Sequence, residues 1–167
     1  MDLSELTKGI AEHGKYVSFW GSCLSNFYPC SFELDGKNWN CSEQYFMWRK
    51  AMTFGDHETA EKILQTTEAK DAKKLGREVK GFKDEVWDIY KYHYMYLAVY
   101  AKFAQNNDLY KVLELYKDKQ FVEGNPFDKV WSVGLDWRDE RIGNPDEWQG
   151  QNLLGQILDE VRSKLIR

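Results

Sequence analysis

The stretch Ser31-Phe32-Glu33-Leu34-Asp35-Gly36-Lys37-Asn38-Trp39 alternates apolar and polar residues around an Asp-Gly pair. This pattern predicts a β-hairpin, because both central positions of a two-residue turn need a positive φ. The segment Ser42-Glu43-Gln44-Tyr45-Phe46 follows, and Ser42 is predicted to be the N-cap of a helix that runs to about Phe54. Glu43 then lies in the first turn of a helix that comes soon after the hairpin.

Periodicity and capping residues predict five more helices outward from this unit. They run from about Asp56 to Thr66, from about Glu68 to Arg77, from about Lys83 to Phe103, from Asn106 or Asn107 to about Tyr116, and onward from Gln151. The helix from Lys83 is aromatic on most sides, so it is expected to be central and largely buried. Two short apolar runs, Phe121-Val122-Glu123 and Val130 to Leu135, predict strands. The predicted fold class is α+β, mostly helical with a few short strands.

Length and composition narrow the class of protein. A chain of 167 residues is most simply one domain over 1–167. A net charge of -4 argues against a broad electrostatic surface for nucleic acid. No apolar stretch approaches the ~18 residues of a membrane span. Three cysteines without a signal-like N-terminus indicate a reduced, cytoplasmic protein, and with no CxxC pair and three scattered histidines we expect no metal site.

Two carboxylates are candidates for chemistry. Glu43 at a helix start is favoured in its ionised form by unpaired backbone N–H groups, although acidic residues are also ordinary at that position. The hairpin can bring Ser25-Asn26-Phe27 beside it, where aromatic residues could hold a flat ring. Asp128 follows a turn at Asn125-Pro126, where Asp commonly binds its own backbone. Cleavage of glycosidic bonds commonly uses two acidic groups, which makes this pair a candidate.

Other residues can bind a ligand. Trp87 either stacks on a base or packs in the core, and composition favours the core. Arg77 is a candidate phosphate ligand, whereas the lysines around it are expected to form a solvated face paired with acids. Gly150-Gln151-Asn152 at the start of the last helix could offer free N–H groups to a phosphate or ribose oxygen, or Asn152 could be a cap residue. No P-loop or GxGxxG motif is present.

Eight motifs in this order resemble the NADAR (YbiA-like) superfamily from about Tyr16 to Arg162. They are Leu24-Ser25-Asn26-Phe27, Leu34-Asp35-Gly36-Lys37, Ser42-Glu43-Gln44-Tyr45-Phe46, Ala72-Lys73-Lys74-Leu75-Gly76-Arg77, Ala101-Lys102-Phe103-Ala104-Gln105-Asn106, Phe121-Val122-Glu123, Asp128-Lys129-Val130-Trp131 and Asn152-Leu153-Leu154-Gly155. The resemblance implies a YbiA-like fold and an N-glycosidase without a metal or organic cofactor. It places the family's functional residues on Glu43, Trp87 and Asp128.

The expected substrate is a small ribosyl phosphate. Bacterial relatives hydrolyse ribosylamino-pyrimidine 5'-phosphates of early riboflavin synthesis and release ribose 5-phosphate, and other members remove ADP-ribose from guanine. Nucleic acid is expected only as a modified-base substrate, and a non-catalytic module that binds ADP-ribose or NAD is the alternative from another class. The residues expected to line the site are Asn26, Phe27, Tyr45, Phe46, Arg77, Trp131 and Asn152.

The chain departs from the family pattern at three places. Gln44 stands where histidine is usual, Ser132 stands where glycine usually follows the tryptophan, and a loop from about Asp136 to Gln149 is inserted before the last helix. Gln44 keeps hydrogen-bonding capacity but cannot transfer protons near neutral pH. Ser132 and the loop are expected to reshape the pocket. The many lysines offer no unique candidate for attack on an opened ribose.

Overall fold

The computed structural model describes residues 2–166, which form two compact units. One unit is 26–106, and the other combines 2–25 with 107–166. Met1 and Arg167, the ends of the predicted 1–167 domain, lie outside the described residues, and the single domain stays a prediction. The elements within 2–166, in chain order, are α1 (Leu3–Leu6), β1 (Ile10–His13), β2 (Tyr16–Phe19), β3 (Phe32–Leu34), β4 (Lys37–Trp39), α2 (Ser42–Thr53), α3 (His57–Leu64), α4 (Ala69–Arg77), α5 (Asp84–Gln105), α6 (Asn107–Leu115), β5 (Gln120–Glu123) and α7 (Leu153–Leu165), with two 3-10 helices at Glu140–Gly143 and Pro145–Glu147.

This element content confirms the predicted mostly helical α+β class. Over residues 2–166, no helix combines the length and the hydropathy that crossing a membrane requires.

The hairpin in 26–106 forms as predicted. β3 and β4 pair antiparallel with Leu34 opposite Lys37, and the turn residues Asp35 and Gly36 have φ of 53° and 71°. These two positive values are the ones that an Asp-Gly turn needs. The indole N–H of Trp39 donates to the Leu34 carbonyl at 2.9 Å, which fastens the far end of the hairpin to its turn.

The N-cap of α2, the helix after the hairpin, lies one residue earlier than predicted. Cys41 is the N-cap, and Ser42 is the first helical residue, so the assignment of Ser42 as N-cap is wrong. No side chain caps this helix; the Glu43 N–H donates instead to the Asn26 carbonyl at 3.1 Å. The backbone carbonyl of Asn26 therefore accepts an N–H group of the first helical turn, which is the role predicted for the Ser42 hydroxyl.

Helices α3, α4 and α5 pack around α2. At the contact with α4, a Cβ added to Gly76 would collide with the Met47 side chain, which lies in the space that the missing side chain leaves. The start of α3 is held by Asp56, whose carboxylate accepts the N–H groups of Thr59 and Lys80 at 3.1 and 2.9 Å. Helices α3 and α4 each begin and end within two residues of their predicted bounds.

The expectation that α5 is largely buried is wrong. Its first half leaves large side chains in solvent, with Ile89 exposed by 71% and Tyr90 by 41%. Trp87 is buried in this half, and the other buried side chains lie toward the C-terminal half, from Met95 onward. An aromatic composition raises the apolar area of a helix but does not say how many of its faces another element covers.

The unit of 2–25 with 107–166 holds a three-stranded sheet of order β1-β2-β5. β1 and β2 are antiparallel and join through Gly14, whose φ is 64°, whereas β2 and β5 are parallel with Tyr16 opposite Gln120. The sequence pattern predicted β5 but not β1 or β2. A core cluster of Tyr16, Val122, Val133, Leu135 and Ile142 lies at this sheet, with Trp148 packed against it.

The predicted strand from Val130 to Leu135 is wrong, because this segment is an irregular loop. The N–H groups of Val130 and Trp131 both donate to the Asp128 carboxylate at 2.9 Å, which folds the backbone into a turn and leaves no regular ladder. The helix predicted from Gln151 begins at Leu153 as α7. A Cβ on Gly155 would collide with the Phe121 carbonyl, so α7 packs closely against β5 at this glycine.

Candidate active site

The first group of candidate residues lies on one face of α2. Glu43, Phe46 and Lys50 are spaced i, i+3 and i+7, which places them in one row along the helix. Glu43 is 7% exposed and lies at the second helical position. Its carboxylate is therefore near the helix N-terminus, where the macrodipole favours negative charge.

Asn26 is tied to the start of this row. Its carbonyl accepts the Glu43 N–H, so the structure brings the Leu24-Ser25-Asn26-Phe27 motif to Glu43 as the hairpin predicted. The side chain of Asn26 is 8% exposed, and within residues 2–166 its Oδ1 has no hydrogen-bond partner. Leaving a buried acceptor unsatisfied costs about 1–3 kcal/mol. A hydroxyl or N–H group of a ligand would remove that cost.

Two cations lie around the other end of the row. Burial lowers the pKa of Lys50; nearby Arg77 adds to this effect, whereas the carboxylates of Glu43 and Asp84 oppose it. Arg77 is exposed at the end of α4 and forms no ion pair within residues 2–166. Sequence reasoning singled out Arg77 but missed Lys50, although the i+7 spacing from Glu43 would have pointed to it.

An aromatic wall flanks the row. The rings of Phe46 and Trp87 lie 5.0 Å apart, and Tyr94 stacks on Trp87 at 6.1 Å with an interplanar angle of 28°. Trp87 is 7% exposed, so most of the ring is packed, in line with the composition. Its indole N–H makes no hydrogen bond to any residue in 2–166, which leaves a donor at the edge of the wall.

Phe27 lines a cleft of about 290 Å³ beside the start of α4. Pro29, Cys41, Glu68 and Lys70 line it too, and Lys70 forms an ion pair with Glu68 at 2.9 Å. The ammonium of Lys73 lies 5.4 Å from the centroid of the Phe27 ring. Phe27 is 39% exposed, which leaves part of the ring open to a second flat group.

Tyr45, predicted to line the site, lies on a different face of α2. It is fully buried, its hydroxyl donates to Asp35 at 2.8 Å, and Arg49 donates to that hydroxyl at 3.0 Å while forming an ion pair with Asp35. Burial raises the pKa of Tyr45 to about 12. Tyr45 therefore fastens the hairpin to α2, and contact with a substrate has no support from this geometry.

Gln44 is likewise occupied by structure. Its Oε1 accepts the Asn40 N–H at 2.9 Å, and its amide nitrogen donates to the carbonyls of Ile63 and Thr66 at 3.1 and 3.2 Å. The side chain is 4% exposed. The residue that replaces the family's histidine thus joins the hairpin end to α3, and all its observed bonds are to backbone groups.

The second carboxylate, Asp128, lies in the unit of 2–25 with 107–166. Its Oδ1 accepts two N–H groups, those of Val130 and Trp131. Asp128 therefore binds the backbone of its own turn, as aspartate commonly does. Its side chain is partly buried, and Oδ2 is the oxygen that these two bonds do not use. Trp131 is partly buried, and its carbonyl accepts the Leu154 N–H at 3.2 Å.

The start of α7 does not offer free N–H groups, which corrects that expectation. The N–H groups of residues 151–154 donate in turn to the carbonyls of Lys129, Ser132, Val130 and Trp131. Asn152 has a left-handed backbone, with φ of 54°, and its side chain bonds the Glu123 N–H and the Phe121 carbonyl at 3.0 Å each. Its amide latches α7 to β5; a role in binding substrate stays a prediction.

The cysteine thiols and the side chains able to bind a metal ion are the remaining groups to consider. Cys23 and Cys41 are buried and Cys30 is partly buried, and among residues 2–166 none of the three forms a disulfide. Burial raises the pKa of Cys41 to about 11, so the thiolate is disfavoured. Among residues 2–166 no three or more His, Cys, Asp or Glu side chains are grouped to hold a metal ion.

Comparison with known proteins agrees with this picture. A model of the NADAR domain matches residues 18–166. The chain is 38% identical to protein irg-1 of Caenorhabditis elegans, covering 90% of this chain and 79% of that protein. It is 34% identical to N-glycosidase R617 of Acanthamoeba polyphaga mimivirus, covering 92% and 98%. It is 33% identical to riboflavin biosynthesis protein VVA0006 of Vibrio vulnificus, covering 85% and 35%. The NMR structure of the Escherichia coli protein YbiA superposes with a TM-score of 0.76 at 26% identity, covering 99% of this chain and 93% of that one.

Proposed function

This chain belongs to the NADAR family and is an N-glycosidase, and we propose that it hydrolyses the N-glycosidic bond of a small ribosyl phosphate. The substrate class that we propose is the ribosylamino-pyrimidine 5'-phosphates, with ribose 5-phosphate as the sugar product. The riboflavin biosynthesis protein of Vibrio vulnificus, 33% identical over 85% of this chain, supports this choice. We propose that the reaction takes place in the cytoplasm, where the three free thiols stay reduced.

The observation that carries the proposal is the pairing of Glu43 with Asn26. A ribosyl group that loses its base passes through a transition state with oxocarbenium character, and a carboxylate close to the sugar stabilises the positive charge. Glu43 is nearly buried, so its charge acts in a medium where electrostatic effects are stronger than in water. The unpartnered Asn26 Oδ1 is a ready acceptor for a ribose hydroxyl or a base N–H.

The remaining residues take roles that match their surroundings. Trp87 and Phe46 hold the base or the sugar, with the indole N–H available to a polar substituent. Arg77, a cation without an ion pair in 2–166, binds the phosphate. Asp128 assists proton transfer or binds ribose through the oxygen that does not hold its own turn. Phe27 and Trp131 complete the lining, and Asn152 is the member of this set with the strongest structural role.

Two reaction routes lead to the same products, and they differ in whether Lys50 forms a covalent bond to the sugar. In one, Glu43 positions a water that attacks the sugar. In the other, the neutral Lys50 amine adds to C1 of the ring-opened ribosylamine, and the C1–N bond to the base breaks as the base leaves with its amine protonated. Water then hydrolyses the resulting Lys50 imine to the free amine and ribose 5-phosphate. A lowered pKa beside Glu43 increases the fraction of neutral amine, which is the form that attacks. Borohydride treatment during turnover reduces an imine to a stable adduct, so a mass increase on Lys50 would select the second route.

The test of the proposal measures release of base and sugar by mass spectrometry. Purified chain is incubated with a ribosylamino-pyrimidine 5'-phosphate and, separately, with a guanine-ADP-ribosylated oligonucleotide. We expect release of base and ribose 5-phosphate from the first, lost in a Glu43→Gln variant. Release from the second alone would move the substrate to ADP-ribosylated guanine. Release from neither, with tight binding of ADP-ribose, would identify a non-catalytic binding module.

A further inference from the structure

One exposed aromatic residue has no role in what precedes. Phe127 is 95% exposed, the highest value among the large apolar side chains of residues 2–166. It immediately precedes Asp128. A fully hydrated phenyl ring gains free energy when another flat surface covers it.

The turn that carries Phe127 is held at several points. The side-chain oxygen of Asn125 accepts the Phe127 N–H at 2.9 Å, and the Asn125 carbonyl accepts the Asp128 N–H at 3.3 Å. Pro126 restricts φ between them. Asp128 closes the other end by accepting two N–H groups of its own. The ring is therefore displayed on a backbone that loses little freedom when a ligand binds.

Two of the departures from the family pattern anchor this same turn. The Ser132 hydroxyl accepts the Asn125 N–H at 2.7 Å and lies 2.8 Å from the Glu123 carbonyl, to which it donates. Gly124 packs against Trp137 of the inserted loop so closely that a Cβ there would overlap the Trp137 backbone. A serine and an inserted tryptophan thus support both sides of the segment that presents Phe127.

We propose that Phe127 is a substrate-binding residue that stacks on the heterocyclic base of the ribosyl phosphate, next to the Asp128 carboxylate. The inference rests on the proposed function, in which Asp128 contacts the same substrate. Stacking suits this position because every base presents a π face, and Phe127 directly precedes Asp128, the residue to which the proposed function gives proton transfer. Ser132 is a positioning residue, since it acts on the ring only through the turn.

The experiment compares binding of two probes to chains that cannot turn over substrate. In a Glu43→Gln background, Phe127→Ala is titrated with a ribosylamino-pyrimidine 5'-phosphate and with ribose 5-phosphate, which has no ring. Loss of stacking should weaken the first ligand roughly 5- to 100-fold and leave the second unchanged. Phe127→Trp should restore binding. Leu115→Ala, which removes another exposed apolar side chain of the same unit, is the matched control and should change neither.

Ser132→Gly separates positioning from stacking. It should weaken the ring-bearing probe by less than Phe127→Ala does, and the double variant should be no weaker than Phe127→Ala alone. Equal binding of both probes by the parent and Phe127→Ala would overturn the proposal, as would weakening of ribose 5-phosphate to the same extent. Failure of the parent to bind the ring-bearing probe would overturn it too. The proposed function is tested independently, by base release from the wild-type chain.

Discussion

The two candidate carboxylates, Glu43 and Asp128, are held in opposite ways. Glu43 projects from a regular helix whose first turn is secured by the Asn26 carbonyl, so its side chain is not needed as a cap. Asp128 uses its carboxylate to hold its own loop through the N–H groups of Val130 and Trp131. A carboxylate that does not cap its own helix can be replaced without releasing the backbone N–H groups around it. One that also holds its backbone confounds structure with activity unless the replacement keeps the acceptor.

The two units also differ in whether local or distant interactions define their structure. In 26–106, the helices are defined by local features such as the Asp56 cap and the i, i+3, i+7 row on α2. In the other unit, β2 pairs with β5 across about a hundred residues, and the loop from Asp128 to Asn152 is held by bonds to distant backbone groups. Local interactions survive single replacements better than a loop in which each group has several partners.

The largest effect is expected for Glu43→Gln. Glutamine keeps the size and the helical position but removes the negative charge, so kcat should fall about 10²–10⁴-fold with an unchanged melting temperature. Steady-state kinetics and thermal melts of both chains check this. Near-normal kcat in the variant would remove Glu43 from the mechanism, and a large drop in melting temperature would show that the carboxylate also supports α2.

Asp128 gives the next largest effect and needs two variants. Asp128→Asn keeps an oxygen for the Val130 and Trp131 N–H groups but cannot transfer a proton, so kcat should fall about 10²-fold at constant stability. Asp128→Ala should lose activity and also free the loop, lowering stability by about 1–2 kcal/mol. Kinetics and urea unfolding of the two variants separate the roles. Full activity in Asp128→Asn would leave Asp128 as a turn residue only.

Sequence patterns predicted much of the helical unit because the deciding signals there are local. The Asp35-Gly36 turn, the helix from about Asp56 and the first-turn position of Glu43 each follow from a few neighbouring residues. Tyr45 and Phe46 lie on different faces of α2, because adjacent helical residues point about 100° apart; contact of Tyr45 with substrate stays a prediction. Lys50 was missed although the same periodicity places it with Glu43.

The other unit was harder to predict because its structure depends on distant partners. β1 and β2 gain their identity from β5, which no local pattern reveals. The run from Val130 to Leu135 is as apolar as a strand, yet the Asp128 carboxylate captures the N–H groups that a sheet would have used. The start of α7 is similar, since loop carbonyls already occupy the N–H groups that were expected to be free.

Two glycine-to-alanine replacements test whether the two units differ in how well they tolerate an added side chain. Gly155→Ala places a methyl group on the Phe121 backbone carbonyl, which cannot move without disturbing β5, so we expect a loss of about 2–3 kcal/mol. Gly76→Ala meets the end of the Met47 side chain, which can change rotamer, and alanine favours a helix by about 1 kcal/mol over glycine. Its net effect should stay within about 1 kcal/mol. Urea unfolding of both variants checks the difference; equal losses would show that Met47 is as fixed as the strand.

The last comparison is a pH dependence of stability, which we expect to have opposite signs in the two units. Burial raises the pKa of Asp159 to about 6, although the Phe121 N–H and Arg162 act in the other direction. Backbone and side-chain hydrogen bonds with Lys80 and Thr59 lower the pKa of Asp56 to about 2. The native state therefore binds more protons than the unfolded state through Asp159 between about pH 4 and 6, and fewer through Asp56 between about pH 2 and 4.

The sign follows for each group. Stability from Asp159 is highest at and below about pH 4 and falls on the order of 2 kcal/mol as the pH rises to 6, so Asp159→Asn should flatten that window. Stability from Asp56 is complete above about pH 4 and is lost as the pH falls toward 2, so Asp56→Asn should flatten the acid window instead. Urea unfolding at half-unit pH steps, followed by tryptophan fluorescence, checks both variants. A wild-type curve that rises from pH 4 to 6 and flattens in Asp159→Asn would show that Arg162 outweighs burial at Asp159, and the two units would then share one sign.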